Sequence, residues 1–388
     1  MLSKYFSQNL LSQINPRSAI RLSSPSQQPI LTYNSKRNKH SIVSICNPLL
    51  DITLEVSSQK FLDKYNLKNA NAILAEELIH KQLLTDVWTN QLKQIVPGGS
   101  GLNTIRAANY MLKSKYQSQC KYFGSIGDDD QGKILQQILK DEGVVSVIYQ
   151  DDKAPTGVCA AIVYNKDRSL VADLGAALKF PTSHFKNEEK HLNQAKIVYG
   201  TGFFFTSNKS SLIEIGENTS KSGQLFAFNL SATFLIDQYP EEMERILRHC
   251  DYVFGNEDEI AHFAKKHELI KDSENTIECY YDICDKIQSK FKSLKKYRHI
   301  IVTRGMKEIV YSHGQKIHDN FYVEPLPKEL IKDSNGAGDS FVGGFLSQIA
   351  LDKEFQSALK AGAYCSKLVL QQVGCNFPEK LPDPHQFQ

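Results

Sequence analysis

The chain has 388 residues, of which 41% are hydrophobic, 10% aromatic and 23% charged; this is the composition of an ordinary globular protein, with room for one large α/β domain or two smaller ones. The formal net charge of +3 is set by the first forty residues, which hold six Lys and Arg and no acid; the remainder has 40 basic against 43 acidic side chains, so bulk charge argues against a polyanion-binding body. No run of about 18 apolar residues is present, which argues against a membrane-spanning helix.

Residues 1–40 carry Lys4, Arg17, Arg21, Lys36, Arg37 and Lys39 among many Ser and Gln, and Leu2, Phe6 and Leu10 recur at helical spacing. This pattern suits a mitochondrial transit peptide, and it suits a disordered extension equally well. The eight cysteines show no C-x-x-C pair and no zinc spacing. A chain of this size needs no disulfide staples, so reduced, mostly buried thiols are expected.

From Ser41 the pattern turns to strand, turn and helix. "SIVSIC" predicts a short strand leading into an Asn-Pro turn, and "NPLLD" (47–51) places Asn47 and Asp51 at the end of that strand. A carboxylate there can accept from two vicinal sugar hydroxyls, or it can simply be a solvated turn residue. "PGGSGLNT" (97–104) lacks the third glycine of a dinucleotide fingerprint but allows close backbone approach to a small polar ligand, ahead of a helix in "IRAANYML". "QCKYFGSIG" predicts the next strand. "GDDDQGKI" (127–134) nearly spells a phosphate loop, but its three carboxylates would repel a triphosphate and Ile134 has no hydroxyl; a helix over "DQGKILQQILKDEG" is the better reading.

"TGVCAAIVYNKDRSLVADLGAA" has two β-rich runs around a polar turn, hence a hairpin and a candidate flap over a site. "AKIVYGTGFFF", "LFAFNLS", "DYVFGN" and "HIIVTRG" are further buried-strand candidates, with helical stretches such as "EEMERILRHC" between them. That alternation predicts a mostly parallel sheet covered on both faces. In "FGNEDE", Asn256 and Glu259 stand three residues apart at a helix start. They suit either a capping box or a Mg²⁺ ion held largely through water. In "DSNGAGDSFVGGFL", Gly336, Ala337 and Gly338 run into an apolar helix whose free N–H groups attract anions. Asp339 lies in its first turn, either as a general base or as a helix-capping carboxylate.

Taken in order, these segments resemble the ribokinase-like (pfkB) carbohydrate kinases from Ser41 to Pro378. The most specific match is "DSNGAGDSFVGGFL", with Ser334 where the family's adenosine kinase branch usually has Thr. "NPLLDI", "PTGVCAA", "RSLVADL", "TGFFFT", "NLSATF", "FGNEDE" and "VGCNFPEK" point to that branch over the sugar kinases. The resemblance implies an α/β, ribokinase-like kinase domain over 41–388, with a mostly parallel central sheet between helices and a small β-rich lid near 50–70 and 155–175. It implies transfer of a phosphoryl group from ATP, with Mg²⁺, to the 5′-hydroxyl of adenosine.

On that pattern Asp339 is the base, and Asn335, Gly336, Ala337 and Gly338 form the anion hole. Thr303 and Gly305 contact ATP, with Arg168 on the phosphates. Asn47, Asp51, Gly99, Ser100 and Asn103 grip the nucleoside. Leu49, Cys159, Leu170, Ala172, Phe203 and Phe234 line the purine pocket, and Asn256 and Glu259 serve the Mg²⁺. Family members also respond to monovalent cations, a site that the sequence does not place. The resemblance further implies a monomer that binds adenosine and ATP but neither nucleic acid nor membrane. Its expected location is the cytoplasm, with or without the nucleus, or the mitochondrion if the extension is a transit peptide. Gly101 and Leu102 replace a bulkier polar pair and Asp173 replaces an Asn; both departures are expected to retune nucleoside selectivity. A kinase for another nucleoside or sugar, or an idle family member, is the alternative.

Overall fold

The computed structural model describes residues 41–68, 72–89, 94–113, 120–164, 167–295, 298–314, 317–383 and Phe387. The basic extension, with its two readings, lies outside them. In chain order the first strands are β1 (Ile42–Ile45), β2 (Leu49–Glu55), β3 (Ala72–Leu74), β4 (Gln94–Gly98), β5 (Cys120–Gly127) and β6 (Val145–Asp151). Next come β7 (Val158–Tyr164), β8 (Asp167–Asp173), β9 (Ile197–Thr201), β10 (Leu225–Asn229) and β11 (Tyr252–Asn256). The last are β12 (His299–Thr303), β13 (Ile309–His313) and β14 (His318–Phe321). The helices that position the site are α1 (Leu78–Thr89), α2 (Ser100–Lys113), α3 (Asp130–Glu142), α4 (Glu257–Lys266), α5 (Ala337–Ala350) and α6 (Phe355–Leu370).

The central sheet has the order β14-β13-β12-β11-β10-β9-β1-β5-β6. From β6 to β12 every pairing is parallel, and β13 and β14 close one edge as antiparallel strands. The parallel strands include all six expected from the short apolar runs. "GFFF" differs: β9 stops at Thr201, and Gly202–Phe204 forms a 3-10 turn. Strands β1, β5 and β9 are buried along their whole length, as parallel strands under helices on both faces must be. One core cluster holds Val43, Val198 and Phe228, and the other holds Ile42, Tyr199 and Phe345. Strand order reverses at β1, which lies between β9 and β5. Such a switch point opens a crevice beyond the carboxyl ends of the strands.

The expected hairpin is β7 and β8, with Cys159 opposite Ala172 and Ala161 opposite Leu170. It belongs to a second sheet of order β3-β8-β7-β2-β4, so strands 72–74 and 94–98 join the expected segments. Side chains alternate between the two faces of this sheet. Ile52, Ala160, Ile162 and Val171 pack against Leu83, Leu84 and Val87 of α1. The opposite face, with Cys159, Ala161, Leu170 and Ala172, looks into a cavity. Among the described residues, no helix is long and apolar enough to cross a membrane.

At the far end of β12, His299 pairs with His313 and stacks on Tyr252 and Phe355. Burial, then the neighbouring His313, pushes the His299 pKa down to about 3. The folded state therefore resists a proton that the unfolded chain accepts below about pH 6.5, so this contribution to stability is full above that pH and is lost as pH falls toward 3. His299→Phe is expected to flatten the fall of Tm between pH 7 and pH 4.5 relative to the unsubstituted chain, as measured by thermal unfolding in matched buffers.

Candidate active site

Two glycine turns shape the site. At Gly99 φ is +95°, and a Cβ there would collide with the Asn47 carbonyl oxygen; one at Gly98 would overlap the Asp51 carboxylate. The turn from β4 into α2 thus closes directly onto the β1–β2 connection. Gly336 has φ +75° and caps α5, packed against Cys375. The Asp333 carboxylate fixes this second turn. Its Oδ1 accepts from the Asn335 N–H at 3.0 Å and its Oδ2 from the Gly374 N–H at 2.7 Å.

Helix α5 then crosses α2 at backbone range, since a Cβ at Gly343 would strike the Thr104 carbonyl and Ala107. The crossing brings the starts of both helices together. Ser100 Oγ donates to Asp339 Oδ1 at 2.6 Å, and Asn103 Nδ2 donates to Oδ2 at 3.0 Å. Enclosure pushes the Asp339 carboxyl above the usual carboxylate range, and these two hydrogen bonds pull it back. Asn335 Nδ2 reaches Asp51 Oδ2 at 3.4 Å. Below, the buried Arg106 is bidentate to Glu142 at 2.6 and 2.8 Å and also donates to the carbonyls of Pro97 and Cys375. A single guanidinium thereby ties the strand leading into the first turn to the segment beneath the second.

These elements enclose a cavity of about 720 Å³. Its lining brings together Asn47, Leu49, Asp51, Gly99, Ser100, Asn103, Cys159, Leu170, Ala172, Phe203 and Phe234 with Asn256, Glu259, Thr303, Asn335, Gly338 and Asp339. Phe203 and Phe234 face each other with ring centroids 6.4 Å apart, and Phe234 is half exposed at the rim. Gly305 (φ +60°) lies in the turn beyond Thr303; neither it nor Gly336 nor Ala337 lines the cavity. The Arg168 side chain lies outside the described residues. Ile73, Leu74, Thr206, Asn229, Ser231 and Gln238 also line the cavity. Asn229 ends β10, Ser231 lies just past it and Thr206 follows the 3-10 turn after β9, a positional signal that the residue types alone did not give.

Asn256 and Glu259 form a complete capping box: Asn256 Oδ1 accepts from Glu259 N–H, and the Glu259 carboxylate accepts from Asn256 N–H and Nδ2. Burial raises the Glu259 pKa to about 7; the Asn256 N–H opposes this, while Asp339 adds to it. The side-chain oxygens of Asn256 and Glu259 are chemically suited to a hard cation held through water. Among the described residues no three His, Cys, Asp or Glu cluster as a direct metal cage.

The departures from the family pattern point away from the cavity. Gly101 packs against Cys46 and Ser44, Leu102 is wholly buried in the core, and Asp173 accepts from the Gly175 N–H. The expected retuning through these residues therefore has no direct contact to act by. In "GDDDQGKI", Asp129 caps α3 through the Gly132 N–H and binds Thr156, a structural use of that segment.

The pfkB family carbohydrate kinase model matches residues 61–382. The chain belongs to this family. Among curated pfkB-type relatives, adenosine kinase 1 of Arabidopsis thaliana is 36% identical over 344 residues, covering 88% of this chain and 97% of that protein. The adenosine kinase of Dictyostelium discoideum is 35% identical, covering 87% and 96%. Among solved structures, Anopheles gambiae adenosine kinase in complex with P1,P4-di(adenosine-5) tetraphosphate superposes with a TM-score of 0.77 at 31% identity, covering 89% of this chain and all of that one. Schistosoma mansoni adenosine kinase in complex with adenosine and AMP gives 0.76 at 26% identity, covering 88% and 98%. As a pfkB kinase the chain is a phosphotransferase.

The helix crossing at Gly343 can be tested directly. Gly343→Ala is expected to cost about 1–3 kcal/mol through overpacking, read as a lower urea midpoint. It is also expected to lower kcat by more than the loss of folded protein explains, because it displaces Asp339 from Ser100 and Asn103.

Proposed function

We propose that this pfkB kinase phosphorylates the 5′-hydroxyl of adenosine with ATP, giving AMP and ADP in purine salvage. The observation that carries the reading is the placing of Asp51, which Asn335 reaches, and Asp339, which Ser100 and Asn103 hold, on one cavity beneath an apolar wall. Asp51 accepts from the ribose hydroxyls. Asn47 Oδ1, buried and without a partner among the described residues, takes a further nucleoside donor, since a buried acceptor is rarely left unmet. Gly99 and Asn103 close on the sugar. The purine lies between Leu49, Cys159, Leu170, Ala172, Phe203 and Phe234, and the smaller sheet acts as the lid that excludes water.

Asp339 takes the 5′-hydroxyl proton as that oxygen forms its bond to the γ-phosphorus and the bond to ADP breaks. The start of α5, with the backbone N–H groups of Gly336 and Gly338, stabilises the charge on the moving phosphoryl group, the main work in this kind of transfer; the Asn335 N–H is taken by Asp333 and the Ala337 N–H turns onto the Ser334 carbonyl. Thr303 and Gly305 lie on the ATP side, and Arg168 is assigned to the phosphates from the lid. Asn256 and Glu259 would hold Mg²⁺ through water, where the ion neutralises phosphate charge. A monovalent-cation response belongs to the same reading, without assigned residues. The protein is taken as a monomer of the cytoplasm or nucleus, or of the mitochondrion if residues 1–40 are a transit peptide.

A coupled assay across nucleosides and sugars tests the substrate; good turnover of inosine or ribose with poor turnover of adenosine would replace it. Asp339→Ala is expected to lower kcat by about 10²–10⁴ with the fold retained, and near-normal turnover in that variant would remove the base. Asp51→Ala is expected to raise KM for adenosine and to erode discrimination against 2′- and 3′-deoxy analogues. Equal discrimination before and after the substitution would place the sugar elsewhere.

A further inference from the structure

Both side-chain donors to Asp339 come from the first turn of α2, but they are not equivalent. Asn103 is almost wholly buried where it meets the cavity and holds Oδ2. Ser100 is partly exposed, lines the cavity beside Asp339 and donates to Oδ1 at 2.6 Å, the length of a charge-assisted O–H···O⁻ bond. We infer that Ser100 is a positioning residue for phosphoryl transfer, its hydroxyl fixing Oδ1 of Asp339, and with it the plane of the carboxylate, at the cavity wall. The inference rests on Asp339 being the base, and it moves Ser100 from the nucleoside grip to the catalytic carboxylate.

A carboxylate turns readily about its terminal torsion. One donor on each oxygen fixes its plane, and each oxygen keeps acceptor capacity for the incoming hydroxyl. Of the two hydrogen bonds that oppose the upward pull of burial on Asp339, the one from Ser100 is the larger. Apart from Asp51, which shares the cavity, the described titratable groups whose charge acts on Asp339 are Glu259 on α4, Cys46 beyond β1, Tyr199 on β9 and Cys375 beyond α6. Burial raises Cys46 to about 11 and Cys375 to about 12, and raises Tyr199 as well, so these three stay neutral at physiological pH. Glu259 alone among them changes charge near pH 7.

The test uses the full chain with aspartates labelled with ¹³C at the carboxyl, the Asp339 signal being assigned by its loss in Asp339→Asn. Glu259 is silent in such a spectrum. Ser100→Ala is expected to raise the Asp339 titration midpoint by about one unit or more, and Ser100→Thr to restore it. The acid limb of kcat/KM for adenosine is expected to move upward by the same amount, with activity lost mainly at low pH and largely recovered at high pH. An unchanged midpoint in Ser100→Ala, or a uniform activity loss at every pH with a lowered Tm, would overturn the inference and leave only a stitch between helices. If Ser100→Ala does not fold, Ser100→Cys, whose thiol is a weak donor, is read in the same way. If the unsubstituted protein does not phosphorylate adenosine, the functional reading falls, while the titration still decides whether Ser100 governs Asp339.

Discussion

A Cβ at Gly343 would lie inside the contact with Thr104 and Ala107, so α5 and α2 run at backbone contact distance, and the rest of the site depends on that closeness. Ser and Asn side chains are short. They reach the Asp339 carboxylate from α2 only because α5 carries no side chain at the crossing. On its other flank, Gly344 packs against Ala361 and Cys365 of α6, so α5 is wedged between two neighbours. Close packing of this kind leaves little freedom to slide, which holds the first turn of the helix, with the Asp339 carboxylate, in fixed register against α2.

The loops at the helix starts need support of another kind, because backbone in turns has few partners of its own. Arg106 supplies it from beneath, with one carboxylate and two carbonyls taking its donors. A buried guanidinium without these acceptors would be severely unfavourable, so the ion pair with Glu142 and the two carbonyl contacts stand or fall together. Asp333 does the same for the second turn through two N–H groups. The two aspartates flanking Asn-Gly-Ala-Gly therefore have separate tasks: Asp333 is spent on the loop, whereas Asp339 faces the cavity.

Much of this was legible in the residues. Apolar runs ending in Gly, Asn or Ser marked six parallel strands, because strands buried on both faces need continuous apolar sequence. The Gly-rich turns marked segments that line the cavity. Less legible were β3 and β4, short strands whose pairing partners are distant in sequence, and the antiparallel edge β13–β14. For Gly101, Leu102 and Asp173, the sequence identified the departures but not the direction in which they face. Gly101 and Leu102 belong to a helix buried almost all round, where residue type alone does not say which side meets the cavity. Asn256 and Glu259 carried two readings, and the capping box occupies their polar atoms while still leaving them on the cavity wall.

By itself, the sequence determined the strand–helix alternation, the positions of the flexible turns and the supply of carboxylates, amides and apolar side chains. These are local properties, written in periodicity and residue chemistry. Which groups meet was decided only by the tertiary structure. Ser100 and Asp339 are 239 positions apart, and Asn335 and Asp51 are 284 apart. No local preference encodes such contacts, because they arise from helix packing and from the reversal of strand order at β1. That same packing set the Ser100 hydroxyl on Asp339, since a hydroxyl bonds to whichever acceptor the fold brings within reach.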